Sequence, residues 1–233
     1  MLHVIQNDPE VPLGNYAQAL NAFGVNYRTV SAFAGESLPS VESCAGLVVL
    51  GGAMGVHETA KHPFLLEVKG LIRDCLAQDI PYLGLCLGGQ LLAEVAGARV
   101  ISNRWEESGT LPVHLTAEGE ASPLFNGIPT PFFSFQWHHD SFDIPEGGTL
   151  LASSPACPHQ AFSLGSTAFG LQFHPEMLDT VIDDWCRWEP ATLAVADEML
   201  KTFRAVQQEY LAASWQLLEN FLVCGGILRG DQA

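Results

Sequence analysis

Basic residues are scarce in this chain. Its 233 residues include 10 Lys plus Arg against 26 Asp plus Glu, which gives a formal net charge of −16. Because such an acidic surface repels phosphate backbones and anionic lipid headgroups, we expect neither a nucleic acid nor a membrane surface as a partner. Long apolar runs are also missing, since glycine, proline or a charged residue interrupts every stretch that could span a membrane. The N-terminus lacks the basic and apolar regions of a signal peptide.

Paired cysteine motifs are absent as well. The six cysteines are scattered and form no C-x-x-C pair, which argues against a zinc site and against a disulfide framework. They are Cys44, Cys75, Cys86, Cys157, Cys186 and Cys224. We therefore expect a reduced, cytoplasmic setting, which also suits a catalytic thiol. No cofactor is expected.

Short apolar runs alternate with helical patterns in the first hundred residues. Strands that are buried on both faces and separated by helices indicate a parallel sheet with helices on either side. The predicted strands are 4–6, 25–30, 45–50 and 80–85, and the predicted helices are 14–23, 64–76 and 87–96. With 48% hydrophobic and 15% charged residues, the composition is typical of a compact globular domain.

The pattern changes at about residue 99. Residues 99–174 contain short β-like runs separated by turn signals, which predict a small and partly antiparallel β portion. Two helical patterns follow at 192–206 and 208–223, each with a polar opposite face, and residues 225–233 are expected to be a loose tail.

Together these patterns predict an α/β fold. We expect a mostly parallel central sheet flanked by helices, with a small antiparallel β portion and a C-terminal helical extension. Residues 1–178 would form the main domain, and residues 179–233 would form the extension packed on that domain.

The most informative motif is the sequence IPYLGLCLGGQLL at residues 80–92. A short buried strand leads into a G-x-C-x-G turn and then into a helix, which is the cysteine form of a nucleophile elbow. Gly84 and Gly88 leave room for a tight turn that exposes the Cys86 side chain, and the helix N-terminus favours its thiolate. The alternative is a buried structural cysteine, but that role does not explain the flanking glycines.

A cysteine nucleophile needs a base and a group that orients the base. The sequence HPE at residues 174–176 offers both, because His174 and Glu176 lie two residues apart and share one face of an extended segment. Pro175 keeps the backbone extended. The alternative is a surface His and Glu at the end of a strand.

The motifs together resemble the class I (triad) glutamine amidotransferases, of the free-standing type related to the amidotransferase domain of GMP synthetase. The resemblance is carried by GGAMG at 51–55, PYLGLCLGGQ at 81–90, WHHDSF at 137–142 and GLQFHPE at 170–176. In that family the elbow cysteine attacks the side-chain amide of glutamine. The resemblance implies that Cys86 is the nucleophile, His174 the general base and acid, and Glu176 the group that orients the histidine.

Attack on an amide creates an oxyanion that needs two preorganised donors. We expect one to be the backbone N–H of Leu87, the residue after the nucleophile, and the other to come from Gly52, where the missing side chain lets the backbone approach. No Gly-Lys-Ser/Thr follows this glycine loop, so a nucleotide is not expected there.

The remaining site residues follow from the resemblance. It implies that Gly51, Gln90 and Asp140 border the glutamine substrate. It further implies that backbone groups at Ser141 and Phe142 hold the α-amino and carboxylate ends of the substrate. From its spacing alone, without the resemblance, Gln90 is expected to be a solvent-facing helix residue.

Two further features qualify this site. His138 and His139 suggest a metal site, but adjacent residues of a strand face opposite sides, so no metal is expected. The string RWEESG at residues 104–109 departs from the Glu-Ile-Gly-Trp-like string of many relatives: the glutamate and glycine persist, but the apolar residues are shuffled.

The resemblance implies hydrolysis of the glutamine side-chain amide through a cysteine thioester, giving glutamate and ammonia. The ammonia would pass to a separate synthetase subunit. One alternative is a stand-alone hydrolase of γ-glutamyl peptides or amides. A second is a non-catalytic binding module in which Cys86 senses redox conditions.

Overall fold

A nine-stranded twisted sheet forms the centre of the protein. A computed structural model describes residues 1–188 and 190–229. The strands are, in chain order, β1 (Leu2–Gln6), β2 (Tyr27–Ser31), β3 (Gly46–Val49), β4 (Tyr82–Leu85), β5 (Val100–Ile101), β6 (Glu107–Leu115), β7 (Phe132–His138), β8 (Ser141–Phe142), β9 (Gly148–Ser153), β10 (Ala161–Leu164) and β11 (Ala168–Leu171).

The sheet has the spatial order β2-β1-β3-β4-β11-β10-β9-β6-β7. Neighbours from β2 to β11 pair in parallel, and the remaining pairs, from β11 to β7, are antiparallel. Strands β5 and β8 form a separate two-stranded antiparallel sheet. The predicted α/β fold, with a mostly parallel central sheet and a small antiparallel portion, is confirmed.

Helices cover both faces of the sheet. They are α1 (Asn15–Ala22), α2 (Phe64–Ala77), α3 (Leu87–Val95), α4 (Ala117–Ala121), α5 (Asp179–Cys186), α6 (Pro190–Leu193) and α7 (Ala196–Cys224). Adjacent residues of a strand point to opposite faces, so Val4 packs in the core beneath α1 and α7 while Ile5 packs beneath α2. None of the described helices is both long and apolar enough to cross a membrane.

The C-terminal part differs from its predicted boundaries. Residues 192–206 and 208–223 were expected to form two helices, but α7 is continuous from Ala196 to Cys224 because neither Gly nor Pro interrupts it. Its apolar face, including Phe203 and Leu217, is buried in the main core. The expected loose tail is wrong for residues 225–229, where Ile227 and Leu228 pack against the core. Residues 230–233 lie outside the described residues.

The register of β4 and β11 decides where the functional motifs meet. These two strands are parallel neighbours, and Leu85 at the end of β4 is paired with Leu171 at the end of β11. Residues that follow the two strands therefore emerge side by side at the same edge of the sheet. The cysteine elbow follows β4, and the HPE motif follows β11.

Candidate active site

A cavity of about 500 Å³ opens where the parallel strands end. Cys86, Gln90 and His174 line this cavity, together with Gly52 and Asp140. Residues separated by almost ninety positions in the sequence thus share one cleft.

Cys86 sits at a strained turn between β4 and α3. Its backbone has φ 49° and ψ −106°, in the region that non-glycine residues rarely adopt, and its N–H donates to the carbonyl of Leu171 at 2.8 Å. A Cβ added to Gly84 would lie 2.4 Å from the carbonyl oxygen of Gly88, and one added to Gly88 would lie 2.1 Å from that of Val49. The glycines are therefore required by close backbone packing, as a nucleophile elbow demands.

His174 lies beside this cysteine. A Cβ on Gly51 would be 2.9 Å from His174 Cε1 and 3.6 Å from Cys86 Cβ, so the glycine sits against both side chains. The imidazole Nδ1 lies 2.7 Å from Glu176 Oε1, and both side chains are buried. The other ring nitrogen, Nε2, is left free to act on the cysteine sulfur.

The charge of His174 is set by its neighbours. Burial by itself lowers the pKa of His174, but the carboxylate of Glu176 and the sulfur of Cys86 outweigh that effect and raise the pKa to about 10. The imidazole is accordingly stabilised in its protonated form, which is the form that can protonate a leaving group.

Three side chains from other elements hold the segment that carries His174. Asn15 Nδ2 donates to the carbonyl oxygens of Pro175 and Met177, at 2.8 and 3.1 Å. Tyr210 of α7 donates its hydroxyl to the His174 carbonyl at 2.7 Å, and Ser214 donates to the Pro175 carbonyl. Sequence reasoning missed all three, because no local motif links them to the HPE sequence.

The glycine loop that follows β3 is anchored by polar side chains of the segment after β1. Asn7 Nδ2 donates to the Leu50 carbonyl at 2.8 Å, and the N–H of Ala53 donates to Asp8 Oδ2 at 3.1 Å. A Cβ on Gly52 would lie 3.0 Å from Leu87 Cδ2. Gly52 therefore packs against the Leu87 side chain.

Leu87 is the first residue of α3, so its N–H has no acceptor within the helix. Cys86 directly precedes this helix, so the free donors of the helix N-terminus lie next to it in the chain. This arrangement can stabilise negative charge that develops next to the sulfur.

Gln90 connects the elbow to the Asp140 loop. Its Nε2 donates to the Asp140 carbonyl at 3.0 Å and to Gln172 Oε1 at 3.4 Å. Gln172 in turn points its Nε2 at Cys86 Sγ, 3.8 Å away. Sequence reasoning missed Gln172, although it lies within the GLQFHPE motif and its place directly after β11 is a usable signal.

The residues after Asp140 turn away from the cavity. The Ser141 hydroxyl is buried and accepts a hydrogen bond from Arg104 Nε at 3.2 Å. The Phe142 ring packs edge-on against Phe162, with centroids 5.0 Å apart. The side chains of both residues lie outside the cavity lining, while Asp140 lies within it.

The stretch at residues 104–109 supplies a buried carboxylate. Glu107 accepts hydrogen bonds from Ser154 and Gln160, and its Oε2 lies 3.4 Å from His138 Nε2. Glu107, His138 and Cys157 have potential ligand atoms within 4.8 Å of one another. Both oxygens of Glu107 already accept hydrogen bonds, and burial raises the pKa of Cys157 to about 12. The cluster is therefore poorly suited to a metal ion, since the thiol keeps its proton.

The two adjacent histidines point in opposite directions. The His138 side chain is 1% exposed, whereas that of His139 is 67% exposed and lies 3.3 Å from Glu106. They cannot share one ion in this conformation.

Tryptophan side chains form the outer wall of the cavity. The ring of Trp185 from α5 lies edge-on to the His174 ring, with centroids 5.1 Å apart, and Trp188 stacks on Trp185 at 5.5 Å. Trp137 completes this wall, 5.9 Å from Trp185. The sequence did not predict this wall, because the pattern of residues in α5 does not show which part of the protein the helix covers.

Known proteins share both the sequence and the fold. A family model described as glutamine amidotransferase class-I matches residues 13–184. A glutamine amidotransferase-like protein of Salmonella typhimurium is 27% identical over 225 residues, which cover 95% of this chain and 93% of that protein. A GMP synthase (glutamine-hydrolyzing) of Helicobacter pylori is 32% identical over 167 residues, which cover 70% of this chain but only 30% of the synthase.

Solved structures agree with these matches. The crystal structure of a glutamine amidotransferase from Thermotoga maritima superimposes with a TM-score of 0.86 at 30% identity, covering 95% of this chain and 97% of that one. A glutamine amidotransferase from Methylobacillus flagellatus gives a TM-score of 0.85 at 25% identity, covering 96% and 94% of the two chains. The chain belongs to the class-I glutamine amidotransferase family, whose members hydrolyse the side-chain amide of glutamine.

Proposed function

We propose that this protein hydrolyses the γ-amide of glutamine or of a γ-glutamyl compound, with Cys86, His174 and Glu176 as its catalytic triad. The observation that carries the proposal is the meeting of Cys86 and His174 in one cleft, with Glu176 buried behind the imidazole. Cys86 occupies a strained elbow, His174 lies against it, and Glu176 is 2.7 Å from the far side of the imidazole. A nucleophile, a base and an orienting acid are the parts that a cysteine hydrolase needs.

The first half of the reaction forms a thioester. The Cys86 sulfur attacks the γ-carbonyl carbon, and the backbone N–H groups of Leu87 and Gly52 receive the resulting oxyanion. The carbon–nitrogen bond then breaks, and protonated His174 gives its proton to the departing nitrogen. Glu176 holds the imidazole in the orientation that this transfer needs.

The second half consumes the thioester. Water enters the place that the leaving group has vacated, and His174, now neutral, takes its proton as the water attacks. Collapse of the second oxyanion breaks the carbon–sulfur bond and releases glutamate. Both halves use the same donors, because the oxyanion forms at the same oxygen.

The glutamyl end of the substrate would lie against the elbow and the Asp140 loop. We assign Gly51, Gln90 and Asp140 to this subsite, together with backbone groups of Ser141 and Phe142. Gln90 supports the assignment because it bonds directly to the Asp140 carbonyl. Of these residues, Gln90 and Asp140 line the cavity.

Two versions of the reaction differ in the fate of the nitrogen. In the first, the ammonia passes to a synthetase subunit, as the similarity to a GMP synthase (glutamine-hydrolyzing) suggests; the chain spans 30% of the length of that relative. In the second, the protein is a stand-alone hydrolase of γ-glutamyl peptides or amides and the nitrogen leaves as a free amine. Under both versions, residues 1–178 would form the catalytic unit and residues 179–233 an extension packed on it.

Release of glutamate and ammonia from L-glutamine tests the triad. We expect Cys86→Ser and His174→Ala to lower the rate by about 10⁴-fold or more, and Glu176→Ala to leave a measurable residual rate. Cys224→Ser is the matched control, since this cysteine lies at the end of α7 away from the cavity, and it should keep full activity. Wild-type rates in all three triad variants would exclude the proposed mechanism.

Covalent labelling separates catalysis from a binding or redox-sensing role. A glutamine-like chloroketone should alkylate Cys86 in the folded protein and leave Cys224 unmodified. Absence of labelling at Cys86, together with absence of turnover, would favour the non-catalytic alternative. A peptide map by mass spectrometry reads out both cysteines.

A further inference from the structure

The cleft is larger than glutamine requires. The cavity at Cys86 has about 500 Å³, and a second cavity of about 490 Å³ shares part of its wall. The shared residues are Trp137, His138, His139, Trp185 and Trp188. Cavities of about 300–1,000 Å³ commonly hold drug-sized ligands, and glutamine is much smaller. Its leaving group is only ammonia, so glutamine leaves most of this space unused.

The unused space begins on the leaving-group side of the reaction. His174 gives its proton to the leaving nitrogen, so a surface that starts at its ring lies next to that nitrogen. The Trp185 ring is 5.1 Å from the His174 ring, and Trp188 extends the same surface by stacking at 5.5 Å. Trp185 is held in place because its Nε1 donates to the Glu10 carbonyl at 2.7 Å. Trp188 is 43% exposed, which leaves its ring accessible to a ligand.

This aromatic surface comes from outside the region that the family model covers. The match ends at residue 184, and Trp185 and Trp188 follow it. The triad and the glycine loop all lie inside the match. A feature that begins where the family model ends is well placed to set the specificity of this chain.

The charges around the two cavities favour a cation. The described residues that line them include Glu58, Glu106, Glu107 and Asp140 but no Lys or Arg. The histidines in the same walls each face a carboxylate: His57 lies 3.2 Å from Glu94, His138 lies 3.4 Å from Glu107, and His139 lies 3.3 Å from Glu106. The protonated His174 is likewise paired, 2.7 Å from Glu176. Glu58 has a cationic neighbour, Lys61, at 3.7 Å on the exposed surface.

We propose that Trp185 and Trp188 form a leaving-group subsite for γ-glutamyl amides whose amine carries an alkyl chain ending in a second, positively charged amino group. Aromatic faces attract ammonium groups, and the carboxylates of the walls add to that attraction. A terminal carboxylate at the same position would be repelled. The inference rests on the proposed function, because it names the substrate class for the same triad.

The chemistry is that of the glutamine reaction with a larger leaving group. The Cys86 sulfur forms the thioester as the carbon–nitrogen bond breaks, and the freed amine leaves with a proton from His174. Water then hydrolyses the thioester to glutamate. No oxidant, reductant or further reactant is needed.

A series of substrates of equal length tests the charge preference. The series is γ-glutamyl-butylamide, the same amide with a terminal ammonium group, and the same amide with a terminal carboxylate, with L-glutamine as reference. We expect kcat/KM for glutamate release to be highest for the ammonium compound, at least about tenfold above the carboxylate compound. That ratio should fall as salt is added.

The outcomes separate this inference from the proposed function. Glutamine turnover equal to or faster than that of the ammonium compound would overturn the inference and leave the triad intact. Equal rates for the ammonium and carboxylate compounds would also overturn it. No glutamate from any compound, with no labelling of Cys86, would overturn the proposed function instead.

Substitution of the exposed tryptophan locates the subsite. Trp188→Ala should lower the ammonium-to-carboxylate ratio by several-fold, mainly through a higher KM for the ammonium compound, whereas Trp188→Phe should retain most of the ratio. Phe33→Ala is the matched control, because this exposed aromatic lies outside both cavities and its loss should leave the ratio unchanged. If Trp188→Ala left the ammonium-to-carboxylate ratio of kcat/KM unaltered, the tryptophan wall would not be the leaving-group subsite.

Discussion

The two sides of the catalytic cleft are built in different ways. On the cysteine side, residues 82–90, the geometry comes from the backbone, because glycines allow contacts that any side chain would block. On the histidine side, residues 172–178, the geometry comes from side chains of α1 and α7 that bond to backbone carbonyls. We therefore expect a single substitution on the cysteine side to cause a large loss of stability. Single substitutions on the histidine side should each cause a smaller loss.

The largest effect is expected from a methyl group on the cysteine side. In Gly88→Ala the new Cβ would lie 2.1 Å from the Val49 carbonyl oxygen, and because that atom is backbone it cannot move cheaply. We expect a loss of about 3 kcal/mol or more in the free energy of unfolding, measured by urea denaturation.

Gly70→Ala is the matched control for that variant. Gly70 lies in α2 with no atom within 4 Å of the added Cβ, so the substitution should stabilise the protein by about 0.5–1 kcal/mol. If Gly88→Ala and Gly70→Ala changed the free energy of unfolding by similar amounts, the effect at the elbow would come from helix propensity and not from close packing.

The second largest effect is a pH dependence on the histidine side. The folded protein raises the pKa of His174 from 6.5 to about 10, so the stabilisation is fully present below pH 6.5 and is lost as the pH rises through 10. Glu176→Gln removes the main cause of the rise. The free energy of unfolding of the wild type should therefore exceed that of this variant by roughly 3–5 kcal/mol at pH 6, and by much less at pH 10.

Unfolding by urea at pH 6, 8 and 10 measures this difference. His114→Gln serves as the control, because His114 is an exposed residue of β6 whose replacement should shift stability by the same amount at each pH. A wild-type advantage over Glu176→Gln that stays constant with pH would contradict the assigned cause.

A smaller effect is expected from Tyr210. Its hydroxyl donates to the His174 carbonyl and accepts from the Met177 N–H at 2.8 Å. Tyr210→Phe leaves both groups buried without this partner, which costs about 1–3 kcal/mol of stability. Losing these hydrogen bonds loosens the segment that carries His174 but leaves the glutamyl subsite unchanged. We therefore expect kcat for glutamate release to fall while KM stays close to that of the wild type.

Tyr27→Phe is the matched variant at the edge strand β2, and it should change neither kcat nor stability by a comparable amount. A large rise in KM in Tyr210→Phe, with kcat unchanged, would place Tyr210 in substrate binding instead of positioning.

The smallest effect is expected at the exposed contact between α5 and α7. Arg204 lies 3.0 Å from Asp179 there, and the arginine side chain is 57% exposed. Arg204→Ala should cost less than about 1 kcal/mol in unfolding experiments, since solvent screens the pair. A loss comparable to that in Tyr210→Phe would mean that surface charge, as well as buried hydrogen bonds, holds α7 against the histidine side.

The fold was predictable from the sequence where the patterns are local. Apolar runs and helical spacing located β1, β3, β4, α2 and α3, and the elbow glycines indicated the turn at Cys86. The prediction divided the single helix α7 in two, at 192–206 and 208–223. Helix and strand ends depend on capping and pairing that the local pattern does not show.

The site was predictable only in part. Cys86, His174 and Glu176 stand in recognisable motifs, so they could be nominated before any coordinates were known. Asn15 and Tyr210 stand in none, because they act through backbone carbonyls of a segment more than thirty residues away. Such partners become visible only when the chain is folded.

The sequence by itself determined the α/β class and the glycine-flanked elbow, and it nominated Cys86 as the nucleophile, because these depend on the spacing and size of neighbouring residues. Only the tertiary structure decided that β11 lies beside β4 and thereby brings His174 to Cys86. It also placed Trp185 and Trp188 in the wall of the cleft, with Trp185 against the His174 ring. Contacts between distant residues depend on strand order and helix packing, which arise from the whole core and leave no local pattern in the chain.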